Sequence, residues 1–151
     1  MSFCRIAGKK LLTMAIETEG PIVADVVLDA SAILAVIFEE PGAERVAGHL
    51  PGAMVSSVSV TEVMTKFSDL GMPEETVDDV VAGLQLTALS FDLDQAAQAA
   101  KVRTHTRDAV LSLGDRACLA TAKIQDAPAL TSDRAWKGLQ RAAGVRIEII
   151  C

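Results

Sequence analysis

The sequence has few of the residues on which several common types of site depend. It contains only three cysteines, and Cys4, Cys118 and Cys151 are too far apart to form a CxxC motif. This spacing indicates neither a disulfide framework nor a thiolate zinc site, and it favours a reducing compartment. With only two histidines, His49 and His105, the sequence also disfavours an imidazole-rich metal centre and a serine triad.

Aromatic residues and long apolar runs are scarce as well. The aromatic share is 3% and tyrosine is absent, so stacking on bases is not expected to be the main mode of any nucleic-acid recognition. No apolar run approaches the roughly 18 residues that cross a membrane, and the first residues lack a clear signal-peptide pattern. We therefore predict a soluble cytoplasmic protein with no membrane association.

Half of the residues are hydrophobic and 23% are charged, which is typical of one compact domain. Short apolar runs predict five strands, at 26–28, 53–57, 86–91, 129–131 and 145–150. Helical periodicity between them predicts helices at 32–40, 41–50, 60–70, 77–84, 92–105, 112–125 and 134–143. The alternation predicts an α/β fold, a single three-layer α/β/α sandwich with a central, mostly parallel sheet.

The start of the chain does not follow this pattern. Residues 1–24 show no clear period, so we predict an N-terminal extension that leads into the first strand, and we place the domain at 25–151. Met14 is an alternative start site.

Four acidic residues stand where predicted strands end or predicted helices begin: Asp29, Glu62, Asp115 and Asp133. Asp29 directly follows the buried run at 26–28, and Asp133 follows the strand at 129–131. Both are therefore expected at the carboxyl edge of the sheet, where open parallel sheets bind ligands. A cluster of carboxylates without balancing bases favours a divalent cation.

Each of these acids also has a purely structural explanation. Asp29 and Asp133 can cap the helices that follow them. Asp115 stands three residues after a serine, in the spacing of a capping box, and Glu62 can pair with a lysine one helical turn later. Spacing alone therefore singles out only Asp29.

Four short blocks around the acids resemble, in the same order, the motifs of PIN-domain nucleases. They are VLDASA at 27–32, SVSVTEV at 57–63, LGDRACLATA at 113–122 and LTSDRAW at 130–136. Within that family the chain resembles VapC-type toxins of toxin–antitoxin pairs, over about residues 25–150. The resemblance implies a metal-dependent endoribonuclease that hydrolyses RNA with Mg²⁺ or Mn²⁺.

The resemblance also implies roles for individual residues. The catalytic and metal-binding acids would be Asp29, Glu62, Asp115 and Asp133. Two hydroxyls, Ser31 and Thr131, would support water or a ligand nearby. For Glu62 two roles stay open, since it can bind the metal, directly or through water, or orient the attacking water.

An RNA substrate has to be reconciled with a net charge of -6. The charges are unevenly distributed, because residues 15–100 hold 15 acids and 2 bases, whereas residues 101–146 hold 9 bases and 4 acids. The basic half is therefore the candidate surface for the phosphate backbone. Arg116 and Arg134, each beside an acid of the set, are the favoured RNA contacts, although either can instead be an ion-pair partner that holds its neighbouring acid.

The resemblance further implies two protein partners. One is a cognate antitoxin of the VapB type, which would fill an apolar groove and send an Arg or Lys into the acidic site. The other is a second copy of the chain, in a homodimer. The apolar stretch at 33–38 and the helices of 60–86 are candidates for either surface, with ordinary core as the alternative.

Two other functions stay open from the sequence. One is a catalytically weak PIN-fold module that binds RNA. The other is a phosphatase of the haloacid-dehalogenase type, with Asp29 as its nucleophile. That family usually has a second acid two residues later, where this chain has Ser31, and its catalytic lysine has no clear counterpart here.

Overall fold

The computed structural model describes residues 25–151, so the predicted N-terminal extension and Met14 lie outside the described residues. Five short strands form one sheet: β1 (Val27–Leu28), β2 (Met54–Ser56), β3 (Thr87–Leu89), β4 (Ala129–Thr131) and β5 (Ile147–Ile149). Their order is β3-β2-β1-β4-β5, and every neighbouring pair is parallel. The predicted α/β fold with a parallel sheet is confirmed.

Seven α-helices of the described residues connect the strands: α1 (Ala30–Ile37), α2 (Ala43–Ala47), α3 (Ser57–Asp69), α4 (Glu74–Gly83), α5 (Leu93–His105), α6 (Leu113–Ile124) and α7 (Gln140–Ala143). The prediction of one helix over 134–143 was wrong. A single 3-10 turn, Arg134–Trp136, precedes α7. Gly138 lies between them with a φ of 86°, a conformation that a right-handed helix does not contain.

The sheet is covered on both faces, because successive residues of a strand point to opposite sides. Val27 belongs to a core that includes Leu119 of α6. Its neighbour Leu28 belongs to a second core, which includes Phe67 of α3. This burial on both sides explains why the strands read as continuous apolar runs, and it produces the predicted three layers.

The strand order places a crevice at the centre of the sheet. From β1 the chain builds outward through β2 and β3, and it then returns to the other side of β1 for β4 and β5. At the carboxyl end of the paired strands β1 and β4, the Asp29 N–H donates to the Leu130 carbonyl at 2.9 Å. Ligands of open parallel sheets bind at such a reversal of strand order.

Within residues 25–151, no helix has the length and apolar character needed to cross a lipid bilayer.

Candidate metal-binding active site

Asp29 sits between β1 and α1 and is nearly buried, with 4% of its surface exposed. Its Oδ2 atom accepts hydrogen bonds from Ser31 Oγ at 2.6 Å, Thr131 Oγ1 at 3.0 Å and the Ser31 N–H at 3.3 Å. Among residues 25–151, no donor contacts its other oxygen, Oδ1. Asp29 therefore caps α1, which is the structural role that the sequence allowed, and its Oδ1 atom stays available to a ligand.

The two predicted hydroxyls join the ends of the central strands. Ser31 Oγ and Thr131 Oγ1 lie 3.0 Å apart, and both donate to Asp29. Ser31 Oγ also accepts from the Ser132 N–H at 3.0 Å, and Thr131 Oγ1 accepts from the Asp133 N–H at 3.0 Å. The hydroxyls thereby orient Asp29 and fix the segment that carries Asp133.

Asp133 and Asp115 each use one oxygen in a cap. Asp133 Oδ1 accepts from the Ala135 N–H at 2.8 Å, at the start of the 3-10 turn. Asp115 Oδ2 accepts from the Ser112 N–H at 2.7 Å, and Ser112 Oγ accepts from the Asp115 N–H at 3.1 Å. The capping box is present, but in both acids the second oxygen has no hydrogen bond to a described residue.

Glu62 reaches toward the start of α6 from α3. Its carboxylate lies directly against Gly114, the residue before Asp115. The alternative of a pair with Lys66 is not found, since the ion pairs within residues 25–151 join Arg45 and Arg146 to Glu148, while His49 and Asp25 share a hydrogen bond. The main structural explanation for Glu62 is thus absent from the described part of the chain.

All four acids line one open cavity of about 460 Å³, together with Ser31. The same wall contains Lys66, which the sequence suggested only as a pairing partner of Glu62, and Asp69, to which the sequence assigned no functional role. They follow Glu62 by four and seven positions on α3, so helical spacing predicts that the three share a face but not that this face lines the cavity.

The two arginines proposed from the sequence lie outside this cavity lining. Arg116 Nε donates to the Ser112 carbonyl at 3.3 Å, while Arg134 is exposed at the surface. Neither forms an ion pair within residues 25–151, so the alternative that they hold the neighbouring acids finds no support there.

A sequence model of the PIN domain matches residues 26–143. The chain belongs to the PIN domain family. No curated protein matches the sequence, whereas several solved structures share the fold of this PIN domain.

The DNA-bound VapBC of Salmonella typhimurium is 19% identical, with a TM-score of 0.67, over 85% of this PIN domain chain and 100% of the other. A toxin–antitoxin complex from Klebsiella pneumoniae is 16% identical, with a TM-score of 0.64, over 83% and 98% of the two chains. FitAcB from Neisseria gonorrhoeae is 22% identical, with a TM-score of 0.59, over 81% and 95%. At these identities the similarity establishes the fold.

The electrostatics of the PIN domain site follow from burial and like charge. Burial raises the pKa of Asp29, the hydrogen bonds from Ser31 and Thr131 lower it in part, and the charge of Asp115 raises it further. Desolvation also raises the pKa of Glu62, followed by the charges of Asp29 and Asp115. Without a counter-ion, burial and neighbouring negative charge therefore oppose the ionisation of Asp29 and Glu62.

The donor set of the PIN domain fits a hard divalent cation. Among residues 25–151, no three acidic, histidine or cysteine side chains converge closely enough to enclose an ion by themselves. Mg²⁺ does not require such a cage, since it keeps several waters and is bound through one or two carboxylates. Asp29, Asp115 and Asp133 line the open cavity, and each has one oxygen that accepts no hydrogen bond from a described residue. These oxygens suit this mode of binding.

The raised pKa values predict how the stability of the metal-free PIN domain depends on pH. Between the ordinary carboxyl pKa and the raised one, the folded state binds more protons than the unfolded state. Asp29 and Glu62 therefore contribute to the free energy of unfolding most fully below the ordinary carboxyl pKa. This contribution is lost as the pH rises through the raised pKa values of the folded state.

Thermal unfolding in a chelator, from about pH 8 to about pH 5, measures this contribution. The Asp29→Asn variant should have a higher Tm than the parent at neutral pH and a weaker dependence on pH. Equal Tm values at neutral pH would contradict the prediction.

Proposed function

We propose that this PIN domain is a divalent-metal-dependent endoribonuclease that acts as the toxin of a toxin–antitoxin pair. The observation that carries the proposal is that four acids from separate elements line one cavity beside the reversal of strand order. Membership of the PIN domain family and the fold shared with VapBC support a toxin nuclease.

Asp29, Asp115 and Asp133 are the proposed ligands of Mg²⁺ or Mn²⁺, one or two of them directly and the others through water that the cation keeps. Asp29 would bind through Oδ1, since Oδ2 accepts three hydrogen bonds. Asp115 and Asp133 would each bind through the oxygen that does not cap a helix or turn. Their caps and the two hydroxyls hold these carboxylates in place before the cation arrives, which lowers the cost of ordering them.

When bound, the cation would acidify a water and neutralise charge on the phosphoryl oxygens. Glu62 has no hydrogen bond to any residue within 25–151, so its carboxylate is available to bind the cation or to accept a proton from the attacking water. Attack by this water in line with the leaving oxygen would form the new P–O bond as the RNA phosphodiester bond breaks, and the leaving oxygen would take up a proton from solvent, which gives one phosphate end and one hydroxyl end. The proposed role of the four acids is to assemble and orient this reaction.

Lys66 joins Arg116 and Arg134 as a proposed contact for the RNA backbone. It lines the acidic cavity and has no ion-pair partner among residues 25–151. Its ammonium group is therefore free to bind a phosphate that lies next to the reacting one.

Replacing Lys66 should weaken substrate binding more than it slows the chemistry. Lys66→Met is expected to raise KM by about three- to fivefold, as for one exposed charge contact, with little change in kcat. The effect should shrink at high salt. Arg45→Met is the control, since Arg45 lies on α2, outside both the acidic cavity and the basic segment 101–146. A KM equal to that of the parent, in steady-state cleavage at low salt, would remove Lys66 from the proposed interface.

A cognate antitoxin is the proposed inhibitor, and its Arg or Lys would occupy the acidic cavity. Part of the expected apolar groove is core instead, because Ile33, Val36 and Ile37 are buried. Leu34 lines the acidic cavity, and Phe38 is 38% exposed, so these two remain for a partner. A homodimer is the second proposed assembly.

The arrangement around Asp29 supports a nuclease over a phosphatase. Ser31, which stands where the phosphatase family usually has its second acid, donates to the Asp29 carboxylate. Its hydroxyl thereby holds the acid as a fixed ligand and brings no second carboxylate for acid–base work.

Cleavage of labelled RNA by the purified chain tests the proposed function. Products should appear with added Mg²⁺ or Mn²⁺ and disappear with a chelator. Cleavage that continues in the chelator would contradict the metal-dependent mechanism. Absence of both cleavage and Mn²⁺ binding in calorimetry would favour the RNA-binding module instead.

A further inference from the structure

Gly114 is the second residue of α6, immediately before Asp115. A Cβ atom at this position would overlap the Glu62 carboxylate, whose two oxygens and carboxyl carbon are the three atoms nearest to it. The glycine is not required by the backbone, because its φ lies outside the left-handed region. Alanine is the better helix former. The contact with the Glu62 carboxylate therefore explains why this position holds a glycine.

The glycine at the end of α4 provides a comparison. A Cβ atom on Gly83 would meet nothing within 4 Å. An alanine can therefore replace Gly83 without a clash, whereas at Gly114 the same methyl group would occupy the place of a carboxylate. Among the described glycines outside the left-handed region, Gly114 is the one at which a Cβ atom would overlap another group.

We propose that Gly114 is a positioning residue for Glu62. By lacking a side chain, it lets the Glu62 carboxylate lie against the start of α6, next to Asp115 and within the acidic cavity. A methyl group would force the flexible Glu62 side chain to rotate toward solvent. The consequence for the cation rests on the proposed function, while the contact between the two residues does not.

The first test compares Gly114→Ala with the matched variant Gly83→Ala. Calorimetry with Mn²⁺ should show about tenfold weaker binding for Gly114→Ala, as for other changes that misplace a metal-binding group. RNA cleavage should fall by at least the same factor. Gly83→Ala should match the parent in both measurements. A Gly114→Ala protein that both binds Mn²⁺ as tightly and cleaves RNA as fast as the parent would overturn the positioning role.

The second test asks whether Gly114 acts through Glu62. In the Glu62→Ala background, Gly114→Ala should produce no further loss of Mn²⁺ affinity, since the group it displaces is gone. Glu62→Asp, whose shorter side chain leaves room for the methyl group, should recover part of the affinity lost in Gly114→Ala. Fully additive losses in the double variant would contradict the proposal.

The metal-free Tm separates a local clash from a general folding defect. If Gly114→Ala is destabilised or fails to fold, Glu62→Ala should restore its Tm, and no restoration would show that the methyl group clashes elsewhere. If the parent and Gly83→Ala neither bind Mn²⁺ nor cleave RNA, the proposed function is wrong. If both do and only the Gly114→Ala result fails, the positioning role alone is wrong.

Discussion

Asp29→Asn should lower metal-dependent RNA cleavage by at least about a thousandfold, equivalent to about 4 kcal/mol of transition-state stabilisation. Asparagine keeps the shape of the side chain and an oxygen that can accept from Ser31 and Thr131. It removes the negative charge that would bind the cation. The loss should therefore arise from metal binding and chemistry, with the fold retained.

Asp92→Asn makes the same chemical change outside the site. Asp92 caps α5 through its contact with the Gln95 N–H at 2.9 Å, and asparagine is an equally good cap. This control should retain parental cleavage and Mn²⁺ affinity. Steady-state cleavage and calorimetry with Mn²⁺ measure both quantities. An Asp29→Asn protein that cleaves RNA as fast as the control would refute the catalytic assignment of Asp29.

Asp115→Asn should separate the two roles of Asp115. The variant keeps an oxygen for the Ser112 N–H, so the capping box and the Tm should change little. The loss of the charge should still lower cleavage by about a hundredfold or more. Activity would then be lost without a matching loss of stability.

Ser112→Ala is the converse change. It removes the hydroxyl that accepts from the Asp115 N–H, at an expected cost of about 1 kcal/mol and a fall in Tm of about 2–4 °C. Cleavage at a temperature well below Tm should remain close to parental. If Asp115→Asn loses stability but not activity, Asp115 is only a cap.

Local signals in the sequence predicted that Asp29 and Asp133 stand at strand ends, but they singled out only Asp29 as functional. A buried apolar run followed at once by an acid places that acid at the carboxyl end of a strand, and parallel strands share this edge. Glu62 and Asp115 had adequate local explanations, and only the resemblance to PIN-domain motifs added them to the set. The sequence suggested Lys66 as the partner of Glu62, whereas in the structure the Glu62 carboxylate lies against Gly114.

The limits of local signals are clearest after β4. The apolar and basic pattern at 134–143 reads as one helix, yet the chain turns at Gly138 between the 3-10 turn and α7. This break lets Trp136 enter the core, where it is fully buried. Burial of one large side chain therefore outweighs the helical periodicity around it.

The sequence by itself determined the order of the strands and helices along the chain, the membership of the PIN domain family and the positions of two acids at strand ends. These follow from hydrophobic periodicity and short motifs, which are properties of neighbouring residues. Only the tertiary structure decided the order of strands across the sheet, the cavity shared by Asp29, Glu62, Asp115 and Asp133, and the entry of Lys66 and Asp69 into its wall. The physical reason is that α3 and α6 pack on opposite faces of the sheet and meet only at its carboxyl edge. No local pattern encodes that a glycine on one helix leaves space for a carboxylate on the other.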